Sequence, residues 1–319
     1  MYWRRRIALL LALAAIAGIA AVLLGHDDGT RPVEAAATPG PLPTAGPAAF
    51  GGQGTAPSPL AVRLDDPRDT VRVAFERPPR AGLLFDLDTG RVLWRRNASR
   101  VLPIASLTKM MTALVVAERI PRRARVPVTR ETLRYTGSGV GLFKRGKRIR
   151  VETMLHGLLL ASGNDAAIAL AQRAAGGSVQ RFVRLMNQRA AAMGLTCTRF
   201  STPSGIRDAG NHSCAGDLAA LARAVLRTPR LARIVARRSA VLPFPVKGGK
   251  LYLYNTNPLL RERYRRTTGV KTGYTVAAGR CLVATVRRRG TRLGVVLLHS
   301  PDPGRQARRL LDRGFRADH

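Results

Sequence analysis

Hydrophobic positions follow strand-like spacing at both ends of the folded part of this 319-residue chain and helical spacing in between. Two apolar runs between Ala81 and Trp94 are joined by Asp88-Thr89-Gly90, a pattern typical of a β-hairpin. Helical spacing predicts helices over 107–119, over 152–175 with an interruption at 162–164, and over 216–227. The remaining pattern predicts strands over 268–275, 280–286 and 292–299, followed by a closing helix over 306–315.

This order of elements predicts an α/β fold of the α+β type. The hairpin comes first, a block of helices follows, and three strands and a helix close the chain. Such an order fits an antiparallel sheet built from both ends of the chain, with a helical insertion between them. A site made from the insertion and the last strands would lie at the seam between helices and sheet.

The N-terminus has the pattern of a membrane anchor. Arg4-Arg5-Arg6 precede Ile7 to Gly25, nineteen residues without a charge, which is long enough to cross a bilayer. We therefore expect a cytoplasmic tip and transmembrane helix over 1–25, a flexible Pro/Gly/Ala-rich linker over 26–70, and a folded domain over 71–319 outside the cytoplasm. The alternative is a cleaved signal peptide and secretion, because residues 34–37 offer small side chains.

The chain is strongly basic, with 54 Lys+Arg against 19 Asp+Glu and a net charge of +35. Such a charge indicates an acidic partner, and nucleic acid is the first candidate. The arginines are scattered, however, and aromatic residues make up only 5%, which leaves few platforms for stacking bases. We therefore expect no nucleic-acid partner, and favour a basic surface facing anionic lipids or wall polymers.

The three cysteines leave two interpretations open. Cys197 and Cys214 are separated by a turn-rich stretch and could form a disulfide in an oxidising compartment, with Cys281 unpaired in an apolar run. Three reduced core cysteines are the alternative. No C-x-x-C or H-x-x-x-H spacing is present, so no metal site is expected.

Three short motifs carry the candidate chemistry. They are Ser106-x-x-Lys109, Ser162-x-Asn164 and Lys271-Thr272-Gly273. Each alone has an ordinary explanation: a helix cap, a helix interruption and a strand end. Together and in this order they form the known signature of a serine acyl-transfer site whose base is lysine. Only six of the 54 basic residues are lysine, and two of those six occupy motif positions.

The residue types suit that chemistry. Ser106 at a helix start is expected to be exposed beside free backbone N–H groups, and Lys109 lies one helical turn away. To act as a base, Lys109 must be neutral, so it needs burial or a neighbouring cation such as Lys271. Ser162 could relay a proton to the leaving amine, while Asn164 could hold the substrate's amide. Near Tyr274, an edge strand could pair with an extended peptide, and Gly273 would allow close approach.

Other hydrolase chemistry is not indicated. The chain has five histidines but no G-x-S-x-G elbow, which argues against a Ser-His-Asp triad. His156 on an apolar helix is interpreted as a packed residue.

The motifs in their context resemble the D-alanyl-D-alanine carboxypeptidases, the low-molecular-mass penicillin-binding proteins. The similarity runs from about Ala81 to Phe315. The stretches that carry it are Ile104–Leu114, Leu158–Ala167, Pro203-Ser-Gly205, Asn255-Thr-Asn257 and Gly269–Thr275. The resemblance implies a β-lactamase/transpeptidase-like fold and a Ser106 acyl-enzyme, with catalytic Ser106, Lys109 and Ser162.

The same resemblance assigns substrate-binding roles. It implies that the substrate contacts Asn164, Lys271, Thr272, Gly273, Tyr274 and Arg305. The oxyanion hole would be formed by the backbone N–H groups of Ser106 and Tyr274, and Arg305 would assist binding of a terminal carboxylate. Many relatives continue into a β-rich domain and an amphipathic membrane helix, for which 319 residues leave no room, so anchoring is expected from the N-terminal segment.

The expected activity is removal of the terminal D-alanine from peptidoglycan stem peptides ending in D-Ala-D-Ala, with β-lactams as inhibitors and no cofactor. A β-lactamase and a peptidoglycan endopeptidase are rivals on the same fold. No E-x-x-L-N-like segment lies between Ser162 and Lys271, which argues against the β-lactamase. A catalytically silent wall- or membrane-binding protein is the rival of a different class.

Overall fold

A five-stranded antiparallel sheet joins the two ends of the folded region. The computed structural model describes residues 59–66, 69–245 and 249–317. In chain order the elements are β1 (Ala81–Asp86), β2 (Val92–Arg96), β3 (Leu102–Pro103), a 3-10 turn (Ala105–Thr108), α1 (Lys109–Arg119), β4 (Arg125–Pro127), α2 (Arg130–Leu133), β5 (Arg148–Arg150), α3 (Val151–Leu159), α4 (Asn164–Ala174), α5 (Val179–Ala192), β6 (His212–Ser213), α6 (Ala215–Arg227), α7 (Pro229–Val235), β7 (Ser239–Pro243), β8 (Lys250–Tyr254), α8 (Pro258–Arg261), β9 (Thr267–Thr275), β10 (Gly279–Arg288), β11 (Thr291–Leu298) and α9 (Pro303–Ala317).

The strand order β2-β1-β11-β10-β9 confirms a sheet built from both chain ends. β1 pairs directly with β11, so that Ala81 lies opposite Leu298. β9 lies at one edge of the sheet, where β10 is the one strand that pairs with it among the described strands. The motif Lys271-Thr272-Gly273 is therefore on an edge strand, as the sequence predicts.

The strands are buried on both faces, and successive residues serve two different cores. Leu83, Val283 and Val296 belong to the large core shared with the helical insertion. Leu84 and Leu282 face the other way and pack in a smaller core with α9. This double burial explains why the strands read as continuous apolar runs.

The helical insertion is richer than the sequence predicts. The apolar stretch 152–175 divides into α3 and α4 at the predicted interruption, but α5 was not predicted. The helix expected from Leu107 begins as a 3-10 turn, and the α-helix itself begins at Lys109. Ser106 therefore lies in the 3-10 turn rather than in the first turn of an α-helix.

Part of the stretch that the sequence assigned to the linker packs on the folded unit. Leu60, Val62 and Leu64 contact the large core. The side chain of Arg223, only 4% exposed, donates hydrogen bonds to the carbonyl oxygens of Leu60 (2.8 Å) and of three further residues, Ala61 (2.8 Å), Leu87 (2.9 Å) and Asp88 (3.0 Å). One buried guanidinium thus ties this segment to the β1–β2 turn. The remainder of the linker lies almost entirely outside the described residues.

Cys197 and Cys214 are joined by a disulfide, one of the two states that the sequence left open. Cys281 is buried and free.

Among the described helices, none is both long and apolar enough to cross a bilayer. The anchor expected over 1–25 lies outside the described residues.

Replacing Arg223 with methionine should destabilise the domain by about 3 kcal/mol, because four carbonyl oxygens lose a charged donor in a buried place. Urea unfolding measures this loss, and limited proteolysis should show earlier cleavage near residue 60. Arg227→Met, one helical turn further on α6 and exposed, is the matched control. Equal stability of the two variants would contradict this account of the Arg223 contacts.

Candidate active site

The amino group of Lys109 joins three separate segments of the chain. Its Nζ lies 2.7 Å from Ser106 Oγ, 2.7 Å from Asn164 Oδ1 and 2.8 Å from the carbonyl oxygen of Ser204. The lysine side chain is fully buried, while Ser106 is half-buried. The structure thus brings together Ser106, Lys109 and Asn164 as the motifs predict.

The 3-10 turn explains how Ser106 and Lys109 meet. In a 3-10 turn, residues three apart lie directly above one another, closer to eclipsed than in an α-helix. Ala105 adopts a φ of 47°, in the left-handed region that L-residues seldom occupy. On the other side, a Cβ at Gly205 would lie 2.0 Å from the Ala105 carbonyl oxygen, so only glycine fits there. The segment Pro203-Ser-Gly205 thus packs closely against the turn that carries Ser106.

Asn164 is fixed at the start of α4 by contacts on both sides of its amide. Its Nδ2 donates to the Thr136 carbonyl oxygen at 2.5 Å, while Oδ1 accepts from Lys109. The neighbouring Asp165 carboxylate accepts from the backbone N–H groups of Val140 (3.0 Å) and Gly141 (2.9 Å). The glycine-rich loop before β5 is therefore held against α4 and forms one side of the site.

Ser162 occupies the bend between α3 and α4. It is 8% exposed and has a φ of 61°, a left-handed conformation next to the N-cap residue Gly163. Among the described residues, its hydroxyl has no hydrogen-bond partner, in contrast to the Ser106 hydroxyl. The structure places Ser162 two residues from Asn164 with a free hydroxyl, and its catalytic role stays a prediction.

Both motif lysines are fully buried, and burial changes their protonation. Burial is the largest cause that lowers the pKa of Lys109 well below its ordinary value, and the charge of Lys271 lowers it further, while Asp165 acts in the opposite direction. Burial also lowers the pKa of Lys271 from 10.5 to about 7. The structure therefore supplies both conditions, burial and a neighbouring lysine, that a neutral Lys109 requires.

β9 is held in place at its free edge by the Asn255-Thr-Asn257 segment. Thr256 Oγ1 lies 2.6 Å from Thr272 Oγ1, and Asn257 Nδ2 donates to the Gly269 carbonyl oxygen at 2.8 Å. Lys271 Nζ donates to the carbonyl oxygen of Thr272 at 2.8 Å. The side chains of Lys271 and Thr272 are thus positioned by local contacts on the edge strand.

Gly273 marks the closest approach between the sheet and the 3-10 turn. A Cβ at this position would lie 2.9 Å from the Ile104 carbonyl oxygen and 3.1 Å from the backbone nitrogen of Ser106. A larger residue would push β9 away from the turn. The absence of a side chain therefore brings the strand's backbone beside the Ser106 N–H.

Tyr274 is 65% exposed and borders a cavity of about 740 Å³. In the ladder between β9 and β10 it lies directly opposite Arg280, which lines the same cavity together with Arg77, Arg80 and His299. Arg280 is thus a cation placed beside Tyr274, the residue that follows the third motif, and the sequence analysis did not single it out.

Arg305 is not brought into that cavity. It is exposed in the first turn of α9, where its backbone N–H donates to Asp302 Oδ1 at 3.0 Å. Its side chain lines a smaller cavity of about 170 Å³ with Phe75 and Arg309, and no residue of the three motifs lines it. A carboxylate-binding role for Arg305 stays a prediction.

Sequence reasoning also missed the roles of Ser204, Thr256 and Asp165. All three lie in stretches that carry the family resemblance, so the signal was present in the sequence. Their contacts link Lys109, Thr272 and the loop at Gly141 to distant parts of the chain. Single contacts between residues far apart in the sequence produce no periodic pattern, so they cannot be predicted from residue spacing alone.

The arrangement is suited to acyl transfer. A hydroxyl lies within hydrogen-bond distance of an amine whose pKa burial lowers well below its ordinary value, and an activated serine nucleophile needs such a neighbouring base. The amine can accept the serine proton during attack and return a proton later.

Stability should depend on pH through Lys271. Between about pH 7 and the ordinary lysine pKa of 10.5, the unfolded chain holds a proton on this residue that the folded chain lacks. The free energy of unfolding therefore rises with pH in this window, by at most about 1.4 kcal/mol per pH unit from this one group. Urea unfolding at several pH values should show that the free energy of unfolding rises less steeply with pH in the Lys271→Met variant than in wild type. Lys250→Met, at an exposed site on β8, is the control, and equal slopes in all three proteins would contradict the account.

Comparison with known proteins identifies the family. The sequence profile of the D-alanyl-D-alanine carboxypeptidase family matches residues 74–302. A D-alanyl-D-alanine carboxypeptidase of Bacillus subtilis is 32% identical over 81% of this chain and 67% of its own length. One from Mycobacterium tuberculosis is 36% identical over 75% of this chain and 82% of its own length. A solved structure of a Streptomyces DD-transpeptidase mutant superposes with a TM-score of 0.71 at 28% identity, covering 76% of this chain and 99% of that one. This chain belongs to the D-alanyl-D-alanine carboxypeptidase family of serine peptidases.

Proposed function

We propose that this protein removes the terminal D-alanine from peptidoglycan stem peptides that end in D-Ala-D-Ala. The contact that carries the proposal is the 2.7 Å approach of the buried Lys109 amine to the half-exposed Ser106 hydroxyl. The family supplies the substrate class, because its members are named for this activity.

The reaction has two steps that share one acyl-enzyme. Ser106 Oγ attacks the carbonyl carbon between the two D-alanines while Lys109 accepts the hydroxyl proton. The C–N bond breaks, and the proton that Lys109 accepted passes by way of Ser162 to the departing D-alanine amine, which leaves Lys109 neutral again. Water then attacks the Ser106 ester, Lys109 again accepts a proton, and the shortened peptide leaves as its carboxylate while Ser106 regains its hydrogen.

The edge of β9 is the place for the peptide. Backbone groups beside Thr272 and Tyr274 can pair with an extended substrate, and Gly273 leaves room for it against the 3-10 turn. We assign the oxyanion hole to the backbone N–H groups of Ser106 and Tyr274, next to this close approach. Asn164 holds the substrate's amide, and Lys271 and Arg305 attract its terminal carboxylate. A β-lactam would acylate the same Ser106, because its strained amide resembles the scissile bond.

Anchoring to the membrane is a separate part of the proposal. The uncharged run 7–25 after three arginines supports an N-terminal anchor with the catalytic domain outside the cytoplasm. The disulfide between Cys197 and Cys214 is in keeping with an oxidising compartment. Secretion after signal cleavage remains the alternative.

The activity is tested with the full chain and a muramyl pentapeptide that ends in D-Ala-D-Ala. Wild type should release free D-alanine and form a stable covalent adduct with fluorescent penicillin. Ser106→Ala should lose both, because it removes the attacking oxygen, with a loss of activity of at least about a thousandfold. Ser99→Ala, at an exposed site outside the motifs, is the matched control.

Different outcomes distinguish the rivals. A penicillin adduct without D-alanine release would indicate an endopeptidase or a transpeptidase, and release of hydrolysed penicillin with rapid turnover would indicate a β-lactamase. A folded wild type that gives neither adduct nor release would refute the enzyme proposal and favour a wall- or membrane-binding role.

The anchor is tested by the mass of the protein recovered from membranes of expressing cells. We expect an intact N-terminus and release by detergent but not by salt, since a hydrophobic segment is held by burial of apolar surface. A protein in the culture medium that begins near residue 38 would show cleavage instead.

A further inference from the structure

A second concave site lies at the end of the sheet opposite the motif Lys271-Thr272-Gly273. It is a cleft of about 1160 Å³ between the segment that leads into β9, the β10–β11 turn and α9. We call it the arginine cleft because seven of its ten lining residues are arginine: Arg263, Arg265, Arg266, Arg287, Arg288, Arg289 and Arg308. The other three are Glu262, Tyr264 and Gly290.

The floor of the arginine cleft is ordered before any ligand binds. The Arg288 guanidinium lies 4.7 Å from the ring centre of Tyr264 and 4.9 Å from that of Phe315. It also pairs with Asp312 at 3.2 Å, and the Tyr264 hydroxyl donates to the same carboxylate at 2.5 Å. A stacked and paired guanidinium loses little further freedom on binding, so this floor is preorganised.

The rim carries positive charge that the protein itself does not neutralise. Arg308 pairs with Glu262. In the described ranges, none of the other five lining arginines forms a salt bridge: Arg263, Arg265, Arg266, Arg287 and Arg289. All five are exposed. Five like charges around one concavity repel each other, and an anion with several charges would relieve that repulsion.

We propose that the arginine cleft binds a soluble polyanion that carries several phosphate groups along a chain. Guanidinium groups bind phosphate oxygens in bidentate pairs, and a chain of phosphates offers several such groups to arginines that come from two neighbouring segments of the cleft. The inference concerns a site separate from the proposed active site, since Thr267 to Lys271 alone spans about 13 Å of extended strand.

Two other anionic partners fit the arginine cleft less well. Nucleic acid would need aromatic platforms for its bases, but Tyr264, the only aromatic lining residue, is covered by Arg288 and lies 5.9 Å from the Arg308 guanidinium. A membrane surface would meet a broad face with apolar side chains that insert, whereas none of the large exposed hydrophobic residues lines this concave site.

The test compares two variants of equal net charge in the full chain. The cleft variant carries Arg263→Gln, Arg265→Gln, Arg287→Gln and Arg289→Gln. The control variant carries Arg123→Gln, Arg148→Gln, Arg181→Gln and Arg184→Gln, four exposed positions on the helical insertion. Binding of long-chain inorganic polyphosphate is measured by calorimetry over a series of salt concentrations. Far-ultraviolet circular dichroism and urea unfolding confirm that each variant is folded.

We expect the cleft variant to bind polyphosphate at least about tenfold more weakly than wild type and to show a smaller salt dependence, because fewer counterions are released. The control variant should stay within about threefold of wild type. If the cleft variant fails to fold, the double variant Arg263→Gln/Arg289→Gln is measured in its place, with an intermediate loss expected.

Three results would overturn the proposal. Equal losses in both variants would show that net charge alone attracts the polyanion, and no loss in either would place binding elsewhere. Cleft-dependent binding to phosphatidylglycerol vesicles or to single-stranded DNA, without binding to polyphosphate, would assign the cleft to a membrane or to nucleic acid. Because these measurements do not use D-alanine release, they stand or fall independently of the proposed activity.

Discussion

The enclosure of one amino group governs the architecture of this site. Lys109 is fully buried, and its Nζ is held by a serine three residues before it, by an amide at the start of α4 and by a carbonyl oxygen at Ser204. Each acceptor comes from a different segment, so the position of the amine depends on all three being packed correctly. The large core around α1 supplies both the packing and the dry surroundings that make loss of a proton favourable.

Much of the fold could be predicted because it follows from periodicity. The hairpin, the three late strands and the closing helix are long apolar patterns, and the sheet confirms them. The 3-10 turn at Ser106 could not be predicted from spacing, because the turn packs closely against Gly205, a residue far away in the sequence. In the same way, the sequence assigned Leu60 to the linker. Its packing depends on the distant Arg223 side chain and on the large core, and neither contact can be inferred from local spacing. Spacing reveals which residues share a face, but not which carbonyl oxygen a buried side chain will reach.

The candidate site itself was visible in the sequence to an unusual degree, since Ser106, Lys109, Asn164, Lys271 and Gly273 meet as the motifs indicate. Sequence reasoning was less successful for the arginines at the edge of the site. Arg280 is adjacent to Tyr274 only through the register of β9 with β10, whereas Arg305 was chosen by resemblance and lines another cavity. The chain's preference for arginine sharpens the contrast, because a buried lysine can give up its proton whereas a guanidinium cannot, and two of the six lysines occupy motif positions.

The pairing of β1 with β11 also sets the order in which the domain can form. Ala81 is among the first residues of the sheet to leave the ribosome, yet its partner Leu298 is among the last. The central pair of strands therefore closes only after β11 has been made, as is usual for sheets with distant pairings. A chain that ends before β11 would lack the strand that joins β9 and β10 to the first hairpin. The sheet that holds Gly273 beside Ser106 is therefore completed from the far end of the fold, by a strand that carries none of the three motifs.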